Sequence, residues 1–263
     1  MKLVDTHSHL IPYCDDGSED WNMSLRMLEQ AREDGITDIV CTPHIFSNND
    51  LDDEYKFVKL FKELVARKQD AEIPINLYLG SELYVQPNFR FDKDMTTLAQ
   101  NGRYFLIEFP MAMIPSFVAR HFFQSLPLDK TPVIAHPERN GSIVRNPQNA
   151  IELVKNGALL QVTAGSLLGG FGQQVQTVAH TLLQANAAHL IATDAHDDQS
   201  RTLQLRQAYN LVKNMWGEER ARILFNENPL RIIKGDLIEY HEPESISSRN
   251  KSMFSRIKSL LKS

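Results

Sequence analysis

The chain has 263 residues, 42% of them hydrophobic, two cysteines and a formal net charge of −5. That is apolar material for one sizeable α/β core, with no run of about 18 apolar residues to cross a membrane. Two cysteines make no disulfide framework, residues 1–5 carry no signal-peptide core, and an acidic body argues against a nucleic-acid binder, so the composition points to a cytoplasmic protein.

Short apolar runs alternate with helical patterns along the chain. A run at 3–5 opens Asp5-Thr6-His7-Ser8-His9. A helix follows near 20–34, with Leu25, Leu28 and Ala31 at helical spacing and Gly35 as its stop. The run 37–41 ends in Thr42-Pro43-His44, before a helix near 51–69. The run 75–80 leads into Ser81-Glu82, and 104–108 ends in Glu108, ahead of a helix near 114–126. The run 132–135 delivers His136-Pro137-Glu138-Arg139, before a helix near 147–156. The run 159–162 precedes a helix near 171–185. The run 190–193 delivers Asp194-Ala195-His196, followed by helices near 201–215, 217–225 and 228–234.

Seven such units predict a closed or nearly closed parallel β/α barrel, with functional side chains at the C-terminal ends of the strands. An open doubly wound sheet is the alternative, and it would gather ligands at one switch point. There is no Gly-rich dinucleotide fingerprint and no phosphate loop. Residues 1–239 form the expected domain. Residues 240–263 form a polar linker and a tail. Within the tail, residues 249–263 hold five basic residues and no acid, leaving −10 on the rest of the chain. At 253–262, Met253, Phe254, Ile257, Leu260 and Leu261 share a helical face opposite Lys258 and Lys262, a pattern suited to an anionic membrane surface or a partner; the plain alternative is a frayed, solubilising end.

The chemistry sits at the strand ends. His7 and His9, two apart, share a strand face. Asp5 is placed to orient a ligating imidazole, or to ligate weakly itself. Asp15 and Asp16 lie ahead of a helix start, where either could cap, and Asp16 could instead close a metal site. His7, His9, Asp16, His44, Glu82, Glu108, His136, Asp194 and His196 are too many ligands for one ion. Two or three divalent cations about 3.5–4 Å apart would use them all and supply hydroxide at neutral pH. Nitrogen and oxygen ligands without thiolate suit Mn, Zn or Fe.

Arg139 and Arg201, the latter read at a helix start, offer planar forks to a phosphomonoester; a salt bridge from Arg139 to Glu138 is the alternative. Segments 140–149 and 165–172 read as rim loops, the second leading into a helix N-terminus. Neither Cys14 nor Cys41 has the arginine that a cysteine phosphatase needs six residues on. Cys41 reads as a core thiol. His121, His180 and His189 read as structural or surface residues, and Trp21 and Trp216 as packing groups.

Together, Asp5-Thr6-His7-Ser8-His9, Asp15-Asp16-Gly17, Thr42-Pro43-His44, Glu82, Ile107-Glu108-Phe109, Ala135-His136-Pro137-Glu138-Arg139 and Asp194-Ala195-His196 resemble the polymerase-and-histidinol-phosphatase (PHP) superfamily. Within it the chain is similar, over about residues 1–235, to bacterial capsular-polysaccharide tyrosine phosphatases. The resemblance implies a distorted seven-stranded, TIM-barrel-like β/α barrel with three divalent metals, commonly manganese. It implies removal of phosphate from the tyrosine-rich tail of an autokinase that controls capsule or exopolysaccharide synthesis. It places His7, His9, Glu82 and Asp194 on one metal; Glu82, Glu108 and His136 on a second; Asp16, His44 and His196 on a third. Arg139 and Arg201 take the phosphate. A small-molecule phosphomonoesterase or phosphodiesterase is the competing enzyme. A binding protein with a dead metal site would lack ligands, and an amidohydrolase would need a strand-end lysine that this chain does not offer.

Overall fold

Parallel strands with helices packed outside them organise the chain in a computed structural model that describes residues 2–118, 123, 126–127, 129–239 and 241–246. The strands are β1 (Leu3–Ser8), β2 (Ile36–Cys41), β3 (His44–Ile45), β4 (Asn76–Leu79), β5 (Glu82–Tyr84), β6 (Tyr104–Glu108), β7 (Thr131–Ala135), β8 (Leu159–Thr163) and β9 (Leu190–Ala192). They form two parallel sheets, ordered β1-β2-β4 and β3-β5-β6-β7-β8-β9.

Two of the seven expected strands are each followed by a short further strand that the sequence pattern does not predict. Thr42-Pro43 separates β2 from β3, and Gly80-Ser81 separates β4 from β5. Pro43 has no N–H for the ladder, and the Ser81 hydroxyl turns away to donate to the Met95 carbonyl at 2.7 Å. Backbone bonds still bridge the breaks: Thr42 N to Ser8 O at 2.8 Å, Gly80 N to Cys41 O at 2.9 Å and Glu82 N to Pro43 O at 3.1 Å. The breaks let β3 and β5 shift relative to β2 and β4 while the chain direction is kept. On the other side, β1 meets the segment after β9 through a Ser8–Ala195 bridge, with His9 N to Ala195 O at 2.8 Å.

Alternation along the strands divides the core. Phe105, Ile107, Ile134, Leu160, Val162 and Ile191 join the large cluster under the helices. Tyr104, Leu106, Val133, Ala135, Leu159 and Leu190 form a smaller cluster on the opposite face, stopped by Leu98 and Ile232. This is the period of two expected of strands buried on both sides.

Helix α1 (Trp21–Asp34) starts at Asp20, whose carboxylate accepts from Met23 N at 2.8 Å. It ends at Gly35, at φ 88°, whose N–H caps the last turn, and it buries Met27, Leu28 and Ala31. Further helices are α2 (Asn48–Asp52), α3 (Glu54–Asp70), α4 (Gly141–Arg145), α5 (Gln148–Lys155), α6 (Ala164–Leu167), α7 (Gln173–Gln184), α8 (Arg206–Trp216), α9 (Glu218–Arg222) and α10 (Asn228–Lys234).

Several expectations change. Segment 140–149, read as a rim loop, is largely helical in α4 and the start of α5, and segment 165–172 opens in α6. Arg201 lies in the loop ahead of α8, not at a helix start. Within the stretch read as linker, Glu244 N donates to Ala185 O at 2.8 Å and Ile246 N to Gln148 Oε1 at 3.2 Å. Residues 119–122 and 124–125 of the helix expected near 114–126, His121 among them, and the whole amphipathic pattern at 253–262 lie outside the described residues. No helix among the described residues is long and apolar enough to cross a membrane.

Candidate metal centre

All nine expected ligands converge at the C-terminal ends of the strands. Three overlapping groups have ligand atoms within 4.8 Å of one another: His7, His9, Glu82 and Asp194; His9, Asp16, His44 and His196; and His44, Glu82 and Glu108. His136 joins the last through its Nε2, 3.0 Å from Glu82 Oε1 and 3.7 Å from Glu108 Oε1. His9 and His44 each stand in a group beyond the one the family pattern allots them. Asp16 is the exposed member, with a side chain 69% accessible and Oδ1 3.5 Å from Nε2 of both His44 and His196.

Local backbone geometry aims two of these groups. Inward-facing residues of β7 alternate through Val133 and Ala135, so regular alternation would turn His136 away. His136 instead adopts φ 32°, and Asp194 adopts φ 53°. Both are left-handed conformations that non-glycine residues enter only under tertiary constraint. Gly17 lies against His9: a Cβ there would stand 2.3 Å from His9 Cβ and the His9 carbonyl oxygen.

The imidazoles are set up as ligands. His7 Nδ1 donates to Gln161 Oε1 at 2.8 Å, while Gln161 Nε2 donates to Thr6 Oγ1 at 2.9 Å and so fixes the amide. His9 Nδ1 donates to Asp15 Oδ2 at 2.8 Å. His196 Nδ1 donates to the Asp194 carbonyl at 3.0 Å. With the proton on Nδ1, each Nε2 presents a lone pair. His7 Nε2 and His9 Nε2 are only 3.2 Å apart, and both face Glu82 Oε2 at 3.0 and 3.3 Å. Lone pairs and carboxylate oxygens at that separation repel unless a cation lies among them. His44 Nδ1 is buried with no hydrogen-bond partner, 3.2 Å from Glu82 Oε2. This donor set fits divalent metal.

Charge divides the imidazoles. Burial opposes charge on His9 and His136, yet the bonds of His9 to Asp15, Asp194 and Glu82 hold it well above its ordinary value and the bond of His136 to Glu82 raises it too, so both favour a positive charge among the carboxylates. Burial lowers His44, and burial with the neighbouring His9 brings His196 down to about 3, so both are neutral at neutral pH, as a ligand must be. Burial opposes charge on Glu82, yet the imidazoles of His7, His136 and His9 hold it well below the carboxylate range. Asp15 is likewise brought to about 2, its burial outweighed by the bond to His9. Glu108 rises to about 6 through burial and the charge of Glu82.

Other expected roles shift. Asp5 touches no imidazole ring; its carboxylate accepts from Thr193 N at 3.0 Å and Thr193 Oγ1 at 2.5 Å, tying β1 to the end of β9. Glu138 does not pair with Arg139. It is fully buried and accepts from Thr163 N at 3.0 Å. Arg139 and Arg201 both reach Asp194 Oδ2, at 2.5 and 2.6 Å, leaving Oδ1 toward His7 and His9 at 3.4 and 3.6 Å. Arg139 also lies over the Phe171 ring, 4.4 Å from its centroid, and Arg201 Nε is a buried donor with no partner. Cys14 is pushed up to about 12 by burial and the nearby Asp15, and Cys41 is higher still, so neither is a thiolate nucleophile. His180 is buried and bonds to the Leu167 carbonyl at 3.1 Å, and His189 accepts from Leu160 N at 3.1 Å, both far from the cluster in bonding terms.

Sequence reasoning missed Gln161 and gave Asp15 only a capping role. Gln161 had a signal: it is the polar residue inside the apolar run Leu159-Leu160-Gln161-Val162. Asp15 had none, because which of two adjacent aspartates turns inward depends on the loop.

Comparison with known proteins agrees with this geometry. The family model described as capsular polysaccharide synthesis, CpsB/CapC, matches residues 3–234. The putative tyrosine-protein phosphatase CapC of Staphylococcus aureus is 36% identical over 211 residues, covering 79% of this chain and 82% of that protein. The tyrosine-protein phosphatase YwqE of Bacillus subtilis is 32% identical over 253 residues, covering 94% and 98%. A chain from the crystal structures of YwqE from Bacillus subtilis and CpsB from Streptococcus pneumoniae, described as unique metal-dependent tyrosine phosphatases, superposes with a TM-score of 0.83 at 30% identity, covering 93% of this chain and all of that one.

Proposed function

The chain belongs to the CpsB/CapC family of the PHP superfamily, and from that premise we propose that it is a metal-dependent protein-tyrosine phosphatase serving capsular or exopolysaccharide synthesis. The observation that carries the reading is the pair of Nε2 atoms of His7 and His9, 3.2 Å apart and both turned to Glu82 Oε2, at 3.0 and 3.3 Å.

In this reading three divalent cations, manganese by preference and zinc or iron as substitutes, are held by His7, His9, Asp16, His44, Glu82, Glu108, His136, Asp194 and His196. When bound, such cations lower the pKa of water and neutralise phosphoryl charge. The protein does the rest. Gln161 and Asp15 fix the tautomers of His7 and His9. Asp194 divides its oxygens between the imidazoles and the two guanidiniums. Arg139 and Arg201 keep donors for the outer phosphate oxygens, and Arg201 Nε is one without a partner. Protonated thiols, Cys41 buried and Cys14 half-buried, argue for direct hydrolysis without a phosphoenzyme.

The reading takes the two sheets as one distorted seven-stranded barrel, formed by residues 1–239 and supported by the bonds that bridge each break. It takes the phosphotyrosine tail of a bacterial autokinase as substrate. It places the protein in the cytoplasm, with the basic tail as a peripheral membrane contact, supported by the charge of residues 249–263.

The test is turnover of a phosphotyrosine peptide with Mn²⁺, with Zn²⁺ and after chelation, beside the matching phosphoserine peptide and histidinol phosphate. Metal-dependent hydrolysis of the phosphotyrosine peptide is expected. Faster turnover of histidinol phosphate would move the assignment to a small-molecule phosphatase.

A further inference from the structure

Exposed apolar side chains stand on several segments that leave the C-terminal ends of the strands, and one of them, Phe46, touches the candidate metal centre. Tyr13, Phe46, Met111, Met113 and Leu168 are 42–56% exposed and stand on segments that follow β1, β3, β6 and β8. For Phe46 the fold dictates the position. β3 and β5 pair with His44 opposite Glu82 and Ile45 opposite Leu83. His44 and Glu82 face the centre, and Ile45 and Leu83 are buried away from it. Alternation then returns Phe46 and Tyr84 to the centre's side, one layer higher, about 6.6 Å along the strands. The rings agree. Phe46 stacks on His44 at 5.0 Å and 29°, and meets Tyr84 at 6.1 Å and 50°.

Core packing does not account for this side chain, which is 55% exposed. Its backbone is nonetheless fixed. Phe46 N donates to Asp50 Oδ2 at 2.9 Å, its carbonyl accepts from Gln86 Nε2, and Ser47 and Asp50 form a capping box at the start of α2. A braced loop holding an open aromatic face beside a ligand group is the form of a recognition surface.

We propose that Phe46, with Tyr84 beside it, is the wall that reads the aryl ring of the substrate and gives this site its preference for aryl over alkyl phosphomonoesters. The inference rests on the phosphatase reading above. A phosphoryl group seated at the level of His44 and Glu82 carries its ester substituent up to the level of Phe46 and Tyr84. An aryl ring there can pair with Phe46 at a centroid separation of about 4.5–7 Å, while an alkyl chain offers no face to pair with.

Benzylphosphonate and methylphosphonate isolate the ring from leaving-group chemistry. Their binding to the full, Mn²⁺-loaded chain is measured by calorimetry, with the metal content of each variant. Phe46→Ala is expected to reduce the preference for benzylphosphonate about fivefold with metal content kept, and Phe46→Tyr to restore it. An unchanged preference overturns the proposal. So does an equal loss of affinity for both phosphonates, which would make Phe46 only a cover for His44. Absence of phosphotyrosine hydrolysis by the unaltered, metal-loaded protein would instead overturn the phosphatase reading, and the calorimetry tells the two failures apart.

Discussion

His7 shows how much a single residue depends on its partner. Its Nε2 is turned to the cluster because Gln161 Oε1 accepts a hydrogen bond from Nδ1, and that bond lies wholly within buried surroundings. Gln161→Leu should therefore weaken metal affinity about 10–100-fold, read by titration with Mn²⁺; equal affinity would remove Gln161 from the centre. Arg139 behaves differently. It shares Asp194 Oδ2 with Arg201, so in Arg139→Ala the carboxylate keeps one guanidinium and its place beside His7. Turnover kcat/KM on a phosphotyrosine peptide should fall about 100-fold while bound metal holds. Loss of metal in parallel with activity would show that Arg139 supports the ligands instead of the substrate.

At the scale of elements, the first loop matters most. It leaves β1, places Asp15 on His9 and His44, and turns back through Gly17 to α1. His44 N donates to Asp15 Oδ2 at 3.0 Å, and Gly17 N to Asp15 Oδ1 at 3.0 Å. One carboxylate thus ties two ligand-bearing segments together. Gly17→Ala puts a methyl where His9 already stands, so the loop must move. A loss of about 1–3 kcal/mol in denaturant unfolding is expected, together with weaker metal binding. Unaltered stability would mean that the loop relaxes without disturbing His9. The short strands β3 and β5 belong to this scale too. Thr42-Pro43-His44 was legible as a stiff turn carrying a ligand. That β3 then realigns against β5, with His44 opposite Glu82, follows from pairing and has no trace in either segment alone.

At the scale of the molecule, the ligand end and the opposite end respond to different conditions. His189, at the entry to β9, is buried beside Arg220 and His241 and brought from 6.5 to about 4, first by burial and then by the Arg220 charge. The folded state therefore keeps it neutral, while the unfolded chain takes up a proton below about 6.5. Its contribution is complete above that pH and is lost as pH falls toward 4, by up to about 3 kcal/mol. Unfolding free energies of the protein and of His189→Gln, compared at pH 7 and pH 4.5, should converge at the lower pH. A constant difference would show that the imidazole does not titrate through that window.

The ligand types, their order along the chain and their places at the ends of apolar runs were determined by the sequence alone. Strand periodicity and short functional strings are local, and each can be read from five or six residues. So was the family, because nine ligands and two arginines fall in one order across the chain. Only the tertiary structure decided which groups share an oxygen or a proton. Asp5 went to Thr193, Asp15 rather than Asp16 to His9, Glu138 to Thr163, and both arginines to Asp194. The physical reason is that hydrogen bonds act over about 3 Å between residues up to 188 positions apart, so strand register and two left-handed turns choose the partners.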